Sequence, residues 1–174
     1  CKSCPDGYYS ESAGAVHCTA CATGKTGDSS VDNNVATHCK NCDPGTFTDV
    51  EGTLNSCKAC PVGYKVNSDR KQCDQCPKGK RQHEEGQTNC VACGNGKYGS
   101  EAGLSAETCY SCPAGFFSAL SSASTECTAC EEGMYSSVTG LHKPDSGTAC
   151  KSCPDGYYSE SAGAVHCTAC ATGK

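Results

Sequence analysis

The residues of this chain whose type and spacing could do chemistry are its twenty cysteines, arranged as ten Cys-x-x-Cys pairs. Two thiols separated by two residues can bind zinc, exchange disulfides or form structural cross-links. The choice depends on the redox compartment and on the elements that position the pairs. The pairs begin at Cys1, Cys18, Cys39, Cys57, Cys73, Cys90, Cys109, Cys127, Cys150 and Cys167.

Zinc is the first alternative, because Cys73, Cys76, Cys90 and Cys93 have the spacing of a zinc ribbon. Ten pairs would need about five zinc ions, in a chain that lacks the apolar strands of such a ribbon. Thiol exchange would need one activated pair within a thioredoxin-like pattern, which the sequence does not contain. We therefore predict structural disulfides, with no metal, no cofactor and no enzymatic activity.

The composition leads to the same prediction. Four Leu, nine Val, three Phe and no Ile are too few to fill a core for 174 residues, so cross-links must supply what apolar burial does not. Cysteines in this number are typical of an oxidising compartment, which predicts an extracellular or cell-surface protein. The net charge of −5 and the lack of a large basic patch argue against nucleic acid as a partner.

A short element follows each pair and must position it. Its first copy, Cys4-Pro5-Asp6-Gly7, predicts a type I turn with proline at the second position, and Tyr8–Ser10 suits a short strand. Gly14 then allows the chain to return to the next pair. A glycine, here called the turn glycine, stands three residues after the second cysteine of every pair: Gly7, Gly24, Gly45, Gly63, Gly79, Gly96, Gly115, Gly133, Gly156 and Gly173.

Aromatic residues follow most turn glycines. We expect the aromatic residues at the second position after the glycine to pack on the neighbouring disulfide and to fill each small core. They are Tyr9, Phe47, Tyr98, Phe117, Tyr135 and Tyr158. Tyr8, Phe116 and Tyr157 stand one residue earlier and should point the other way in an extended segment. These three are our candidates for a surface that contacts other copies.

The pairs form larger repeats. Pair starts are alternately separated by nearly constant spacings (17, 18, 17, 18, 17) and by variable ones (21, 16, 19, 23), so the larger module holds two pairs. Residues 150–174 are identical to residues 1–25, which defines a super-repeat of 149 residues. The predicted modules are residues 1–38, 39–72, 73–108 and 109–149, with 150–174 beginning the next super-repeat. Such periodicity indicates a repeat protein.

Two disulfide schemes suit this spacing. In the ladder scheme the second cysteine of one pair bonds the first cysteine of the next, for example Cys4 with Cys18. In the staggered scheme two pairs cross-link as Cys1–Cys18 and Cys4–Cys21, which would explain the constant alternate spacing. A bond between Cys1 and Cys4 would be strained. Sequence alone does not fix the connectivity.

The element Cys-x-x-Cys-Pro-x-Gly-x-Tyr-Ser, well matched by Cys112-Pro113-Ala114-Gly115-Phe116-Phe117-Ser118, resembles the ephrin-receptor-like cysteine-rich repeats. It is also similar to tumour necrosis factor receptor cysteine-rich domains and to cysteine-rich surface proteins of protists. Thr26, Lys65 and Arg81 depart from the pattern at the aromatic position. The resemblance implies a ladder, with these bonded pairs: Cys4–Cys18, Cys21–Cys39, Cys42–Cys57, Cys60–Cys73, Cys76–Cys90, Cys93–Cys109, Cys112–Cys127, Cys130–Cys150 and Cys153–Cys167.

The predicted fold is therefore a set of small disulfide-rich repeats that form an elongated, solenoid-like rod of short β-hairpins and irregular loops, with little helix. The predicted function is a structural subunit of an extracellular fibre or surface coat, whose partners are other copies of itself or continuing tandem repeats. The alternative is an ectodomain stalk or ligand-binding region of a receptor or adhesion protein. We expect the histidines to lie at the surface, and Ser121-Ser122-Ala123-Ser124-Thr125 could carry O-linked sugar.

Overall fold

A computed structural model describes residues 3–12, 14–32, 38–119, 122–143 and 149–171. The chain divides into two compact units. The first consists of Cys1–Gln75 with Gln82–Cys90, and the second of Cys76–Arg81 with Val91–Lys174. Both units are built from the same short hairpins, and each is described by itself. The division into two-pair modules stays a prediction.

The secondary structure of the described residues consists of β-strands two or three residues long. The strands are β1 (Tyr8–Tyr9), β2 (Thr19–Ala20), β3 (Lys25–Gly27), β4 (Cys39–Asn41), β5 (Thr46–Phe47), β6 (Lys58–Ala59), β7 (Tyr64–Val66), β8 (Cys73–Gln75), β9 (Lys80–Arg81), β10 (Val91–Ala92), β11 (Lys97–Tyr98), β12 (Tyr110–Ser111), β13 (Phe116–Ser118), β14 (Thr128–Ala129), β15 (Met134–Tyr135), β16 (Leu141–His142), β17 (Lys151–Ser152), β18 (Tyr157–Tyr158) and β19 (Thr168–Ala169).

The strands form antiparallel hairpins with one rule of register. The strand that follows a turn glycine pairs with a strand in the next Cys-x-x-Cys, as Tyr8 pairs with Ala20 and Tyr9 with Thr19. The hairpin therefore brings the second cysteine of one pair close to the first cysteine of the next. β13 also pairs in parallel with β16, where Phe117 lies opposite Leu141. These short hairpins confirm the predicted fold class of small disulfide-rich repeats.

The turn differs in type from the prediction. The Tyr8 amide donates a hydrogen bond to the Pro5 carbonyl at 3.0 Å, so proline takes the first position of the turn and Gly7 the third. Gly7 has a φ of 80°, which fits the third position of a type II turn and which residues with a side chain rarely adopt. The type I prediction was wrong because it placed the turn one residue too early.

The core also differs from the prediction. It consists mainly of second cysteines, of which Cys60, Cys76, Cys112 and Cys130 are completely buried, and Leu104 and Val66 add apolar side chains. Small or polar side chains directly after the aromatic position join them, such as Ser118, which is also completely buried. The aromatic residues that should have filled this core are only half-buried or, at Tyr158, exposed. The strand alternates its side chains, and the residue after the aromatic is the one that points inward.

Within the described residues, the structure contains no helix that is both long and apolar enough to cross a membrane.

Candidate functional site: the stacked cysteine junction

The disulfides in the structure follow the ladder. Every cysteine from Cys4 to Cys167 is disulfide-bonded. In the disulfides other than those of Cys76 and Cys90, the Cα atoms of the bonded cysteines lie 5.4–5.8 Å apart. Cys1 lies outside the described residues, and Cys170 carries an exposed free thiol. The bonds are Cys4–Cys18, Cys21–Cys39, Cys42–Cys57, Cys60–Cys73, Cys93–Cys109, Cys112–Cys127, Cys130–Cys150 and Cys153–Cys167, and Cys76 and Cys90 are also disulfide-bonded.

This pairing bears on the zinc alternative. Cys73, Cys76, Cys90 and Cys93 are all disulfide-bonded, so none of them offers the thiolate that zinc requires. Across the part of the chain that the structure describes, His, Cys, Asp and Glu form no group of three or more that could hold a metal ion.

Three successive pairs meet at a junction that recurs along the chain. At its first occurrence the Cys21 amide donates to the Gly7 carbonyl at 2.8 Å, and the Gly52 amide donates to the Cys21 carbonyl at 2.9 Å. The carbonyl oxygen of Gly52 lies 2.2 Å from the point where a Cβ on Gly7 would stand. The junction therefore needs glycine at position 7 for space as well as for its positive φ.

The same three-part contact repeats in both units. The amides that correspond to that of Gly52 each donate a hydrogen bond to the carbonyl of the second cysteine in the preceding pair. They belong to Gly86, Gly103, Ala123, Gly140 and Gly163. Turn glycines in both units thus stack on a loop two pairs further along, although Gly133 and Gly156 have no atom within 4 Å of the position of a Cβ. The stacked combinations are Gly7 with Gly52, Gly24 with Asp69 and Arg70, Gly45 with Gly86, Gly79 with Ala123, Gly96 with Gly140, and Gly115 with Gly163.

Sequence reasoning missed a second column of residues in this junction, which faces the column of turn glycines. It stands ten residues after most second cysteines and has positive φ, as at Gly52 and Gly86. We call these residues the loop glycines. Arg70 and Ala123 take the same backbone shape without being glycine, with φ of 57° and 59°, and the Arg70 guanidinium donates to the Cys42 carbonyl. The regular spacing of these glycines was a signal that could have identified the column.

Two of the three predicted contact aromatics belong to the junction. A Cβ on Gly52 would lie 2.7 Å from the Tyr8 ring, and a Cβ on Gly163 would lie 3.1 Å from the Phe116 ring. These rings therefore cover loop glycines of their own unit and are half-buried. Tyr157, the third candidate, is 49% exposed. An assembly role for these residues stays a proposal.

Polar side chains complete the interior by bonding to the backbone. The Gly96 amide donates to Ser118 Oγ at 2.9 Å, and Thr26 Oγ1 donates to the Thr53 carbonyl at 3.1 Å. His38 is buried and its Nδ1 lies 3.1 Å from the Val31 carbonyl oxygen, so the expectation of surface histidines was wrong there. These side chains bond to nearby backbone groups, although His38 Nε2 and Thr53 Oγ1 are buried without a hydrogen-bond partner.

Local hydrogen bonds and charges shift the pKa values of two groups, Asp28 and Tyr110. The Asp28 carboxylate accepts hydrogen bonds from the side chain and the amide of Ser30, which lower the pKa of Asp28, and Lys40 lowers it further. The Tyr110 hydroxyl donates to Glu101 Oε1 at 3.0 Å, and this bond and the negative charge of Glu101 raise the pKa of Tyr110. Both arrangements stabilise surface loops locally.

The hydroxyl cluster that could carry O-linked sugar is only partly accessible. Ser121 lies outside the described residues, Ser124 is buried, and Ser122 and Thr125 are exposed. Glycan attachment therefore stays a prediction, with Ser122 and Thr125 as its accessible positions.

The ladder, the hairpins and the repeated junction define a class: cysteine-rich repeat arrays closed by serial disulfides. More specifically, the chain belongs to the ephrin-receptor-like family, described as "Tyrosine-protein kinase ephrin type A/B receptor-like", which matches residues 1–35, 63–109 and 143–174.

Two relatives show how such repeats occur in longer proteins. The chain is 28% identical over 123 residues to "Sushi, von Willebrand factor type A, EGF and pentraxin domain-containing protein 1" of Rattus norvegicus, a match that covers 67% of this chain and 3% of the relative. It is 30% identical over 106 residues to "Signal peptide, CUB and EGF-like domain-containing protein 2" of Danio rerio, covering 59% of this chain and 10% of the relative. The chain thus spans a small part of the curated relatives that it matches.

Proposed function

We propose that this chain is a structural segment of an extracellular fibre or surface coat that associates with further copies of its own repeat. The observation that carries the proposal is the identity of residues 150–174 with residues 1–25. A lattice needs equivalent contacts at regular intervals, and an identical stretch recurring after 149 residues supplies them. A ligand site gains little from such long-range identity.

An extracellular location is supported by two observations. Every cysteine from Cys4 to Cys167 is disulfide-bonded, and such bonds persist in oxidising compartments. The Danio rerio relative carries a signal peptide in its name, which is a mark of secretion.

The mechanism would be mechanical. Each hairpin is closed by a disulfide and is joined to the next two pairs by backbone hydrogen bonds, such as those of Cys21 with Gly7 and Gly52. In the chain-entropy model each closed loop of about 15 residues contributes about 3 kcal/mol, by restricting the unfolded chain. Local closure of this kind resists unfolding and proteolysis although the apolar core is small.

A second function is favoured by the comparisons. The family is described as receptor-like, and the relatives are long proteins with several named domain types. In such a protein the repeats would act as a stalk or a binding region of a receptor or adhesion molecule. This reading needs no contact between copies.

Electron microscopy of material from the native source, prepared without reductant, separates the two functions. We expect long filaments with one axial repeat, and loss of that repeat in a matched sample treated with reductant. Short isolated rods attached to membranes would overturn the fibre proposal and favour the receptor.

A further inference from the structure

One hairpin departs from the others in the residue that lies opposite its aromatic position. Between strands β11 and β12 that residue is Tyr110, which is in register with Tyr98. Two phenols therefore face each other across one pair of strands. In the other described hairpins the opposite residue is polar or aliphatic. These residues are Thr19, Lys40, Lys58, Asp74, Val91, Thr128, Lys151 and Thr168.

The two tyrosine rings are in contact. Their centroids lie 5.7 Å apart and their planes are inclined by 48°, which is within the range in which aromatic rings pair. Tyr98 is half-buried, whereas Tyr110 is 43% exposed. The exposed ring can meet a reagent from solution, and the strand register holds the second ring beside it.

A carboxylate lies at the exposed phenol. The Tyr110 hydroxyl donates a hydrogen bond to Glu101 Oε1 at 3.0 Å. A phenol that loses an electron becomes a strong acid, so a base at hydrogen-bond distance assists the oxidation by accepting the proton. The Tyr64 hydroxyl, by contrast, accepts a hydrogen bond from Gln75 Nε2 at 3.0 Å. Tyr110 thus has the proton acceptor that its oxidation needs.

We propose that Tyr98 and Tyr110 are a site of oxidative modification, at which a peroxidase that consumes hydrogen peroxide joins the two rings by a carbon–carbon bond. The product is a dityrosine within one chain. This inference needs no contact between copies, so it does not depend on the proposed self-association. An oxidising compartment, which the disulfides require, is also the setting in which such a reaction takes place.

The reaction removes one electron and one proton from each phenol. The Tyr110 proton goes to the Glu101 carboxylate and the Tyr98 proton goes to solvent, which leaves two neutral phenoxyl radicals. The radicals join through ring carbons next to the hydroxyl-bearing carbons, and the hydrogens on the joined carbons move to the oxygens and restore both phenols. Hydrogen peroxide accepts the two electrons and two protons and becomes two molecules of water. The chain loses two hydrogen atoms in total.

The hairpin favours coupling within the chain over coupling between chains. The Cys93–Cys109 disulfide closes the same hairpin, and Cys109 directly precedes Tyr110. Groups tethered in this way meet at an effective concentration of about 1 mM or more, far above that of a second chain in dilute solution. The rings must still turn toward each other, which the broad χ2 torsion of tyrosine permits. The new bond would keep the hairpin closed when a thiol reductant opens the disulfide.

The test uses the oxidised full chain at about 1 μM, with Cys170→Ser in every sample so that the exposed thiol cannot consume radicals. A plant peroxidase with equimolar hydrogen peroxide supplies the oxidant. The disulfides are then reduced and the chain is cleaved after glutamate, which separates Tyr98 from Tyr110 because Glu101 and Glu107 lie between them. The expected product is a joined pair of peptides that is lighter by two hydrogen atoms and shows dityrosine fluorescence.

Single phenols are removed to identify the partners. Tyr98→Phe and Tyr110→Phe keep the rings, and each should lower the yield of the joined peptides at least about tenfold. Tyr157→Phe is the matched control, because Tyr157 is 49% exposed and lies opposite Ala169 instead of a second ring. The control should couple as the parent does. Circular dichroism spectra that match the parent show that the variants are folded.

The role of Glu101 is tested through the rate of coupling. At neutral pH Glu101→Gln should slow the reaction about tenfold or more, because glutamine cannot accept the proton, whereas Glu107→Gln at another exposed carboxylate should not. Above the titration of Tyr110 the phenol has already lost its proton. With a photogenerated one-electron oxidant, the parent and Glu101→Gln should then react at equal rates. A difference that persists there would overturn the role of Glu101 as proton acceptor.

Three results would overturn the inference as a whole. One is an unchanged yield of joined peptides in Tyr98→Phe or Tyr110→Phe. Another is a yield that falls as far in Tyr157→Phe as in Tyr110→Phe, since exposure alone would then decide the reaction. The third is a main product that links two chains, which would show that the facing rings do not couple with each other.

Discussion

The turn glycine Gly45 gives the sharpest test of the stacked junction. A Cβ at this position would lie 1.7 Å from the Gly86 carbonyl oxygen. In Gly45→Ala the backbone must move by about 1.7 Å to reach the 3.4 Å at which ordinary contact begins. That movement strains the hydrogen bond from the Gly86 amide to the Cys60 carbonyl and the one from the Cys60 amide to the Gly45 carbonyl, which are 2.8 and 3.1 Å long.

The expected loss has two parts. Alanine at a φ of 83° costs about 1–2 kcal/mol relative to glycine. Two disrupted backbone hydrogen bonds add about 2–4 kcal/mol. Gly133→Ala is the matched control, because Gly133 has a φ of 76° and no atom within 4 Å of the position of a Cβ. The control should lose only the first part.

Amide hydrogen exchange measures this difference locally, which suits a repeat protein that need not unfold in one step. The amides of Gly86 and Cys60 should exchange about thirtyfold to a thousandfold faster in Gly45→Ala, beyond the effect seen around Gly133 in the control. Equal effects of the two substitutions, or unchanged protection of Gly86, would show that the close approach does not stabilise the stack.

Three further predictions concern single side chains. Ala123→Gly should stabilise the chain by about 1 kcal/mol, because alanine there has a φ of 59°; the unfolding midpoint in calorimetry should rise by about 2–4 °C. Ser118→Ala should cost about 1–3 kcal/mol in the same assay, because the Gly96 amide loses its buried acceptor. Glu101→Gln should lower the pKa of Tyr110, which Glu101 raises, as followed by absorbance of tyrosinate near 295 nm.

Each of these three has a matched control. Ala92→Gly, in strand β10, should destabilise, so a gain there as well as at Ala123 would refute the explanation from positive φ. Ser100→Ala, at an exposed serine, should change stability by less than about 0.5 kcal/mol, and an equal loss at Ser118 and Ser100 would refute the buried bond. Tyr110→Phe removes the Tyr110 titration and so identifies it.

The sign of the tyrosine effect follows from which form the fold favours. A raised pKa means that the folded chain favours the neutral phenol of Tyr110. This contribution to stability is complete below the ordinary pKa of about 10 and is lost as pH rises through the folded value. Loss of the contribution between about pH 6 and about pH 9, well below the titration of Tyr110, would contradict the assignment.

Local features of the fold could be predicted from the sequence. The spacing of Cys4 and Cys18 limits the hairpin that joins them, and the glycine after each pair marked a turn, although not its type. Short strands could be predicted because the sequence contains few apolar residues and these follow no long periodic pattern. These features depend on neighbours within about 15 residues, where chain geometry leaves few choices.

The stack itself could not be derived in the same way. The contact of Gly7 with Gly52 joins residues separated by two hairpins, and nothing in either local pattern states which hairpins meet. The burial of Ser118 and His38 was missed because composition ranks these residues as surface types, whereas here they bond to backbone groups. Tyr9 was assigned to the core by hydrophobicity, although the strand turns the residue after it inward.

Within each unit, the stacking of a pair on the pair two places further along divides the pairs into odd and even columns. The spacing from an odd-numbered pair to the next pair is nearly constant, whereas the spacing from an even-numbered pair to the next pair is variable. Length changes therefore accumulate in the even column. Gain or loss of a single pair would transfer every later pair to the opposite column, whereas a change by two would not. The 149-residue super-repeat contains eight pairs. Because eight is even, duplicating the whole block preserves the phase of both columns, and the gene could lengthen by recombination between copies without disturbing any junction.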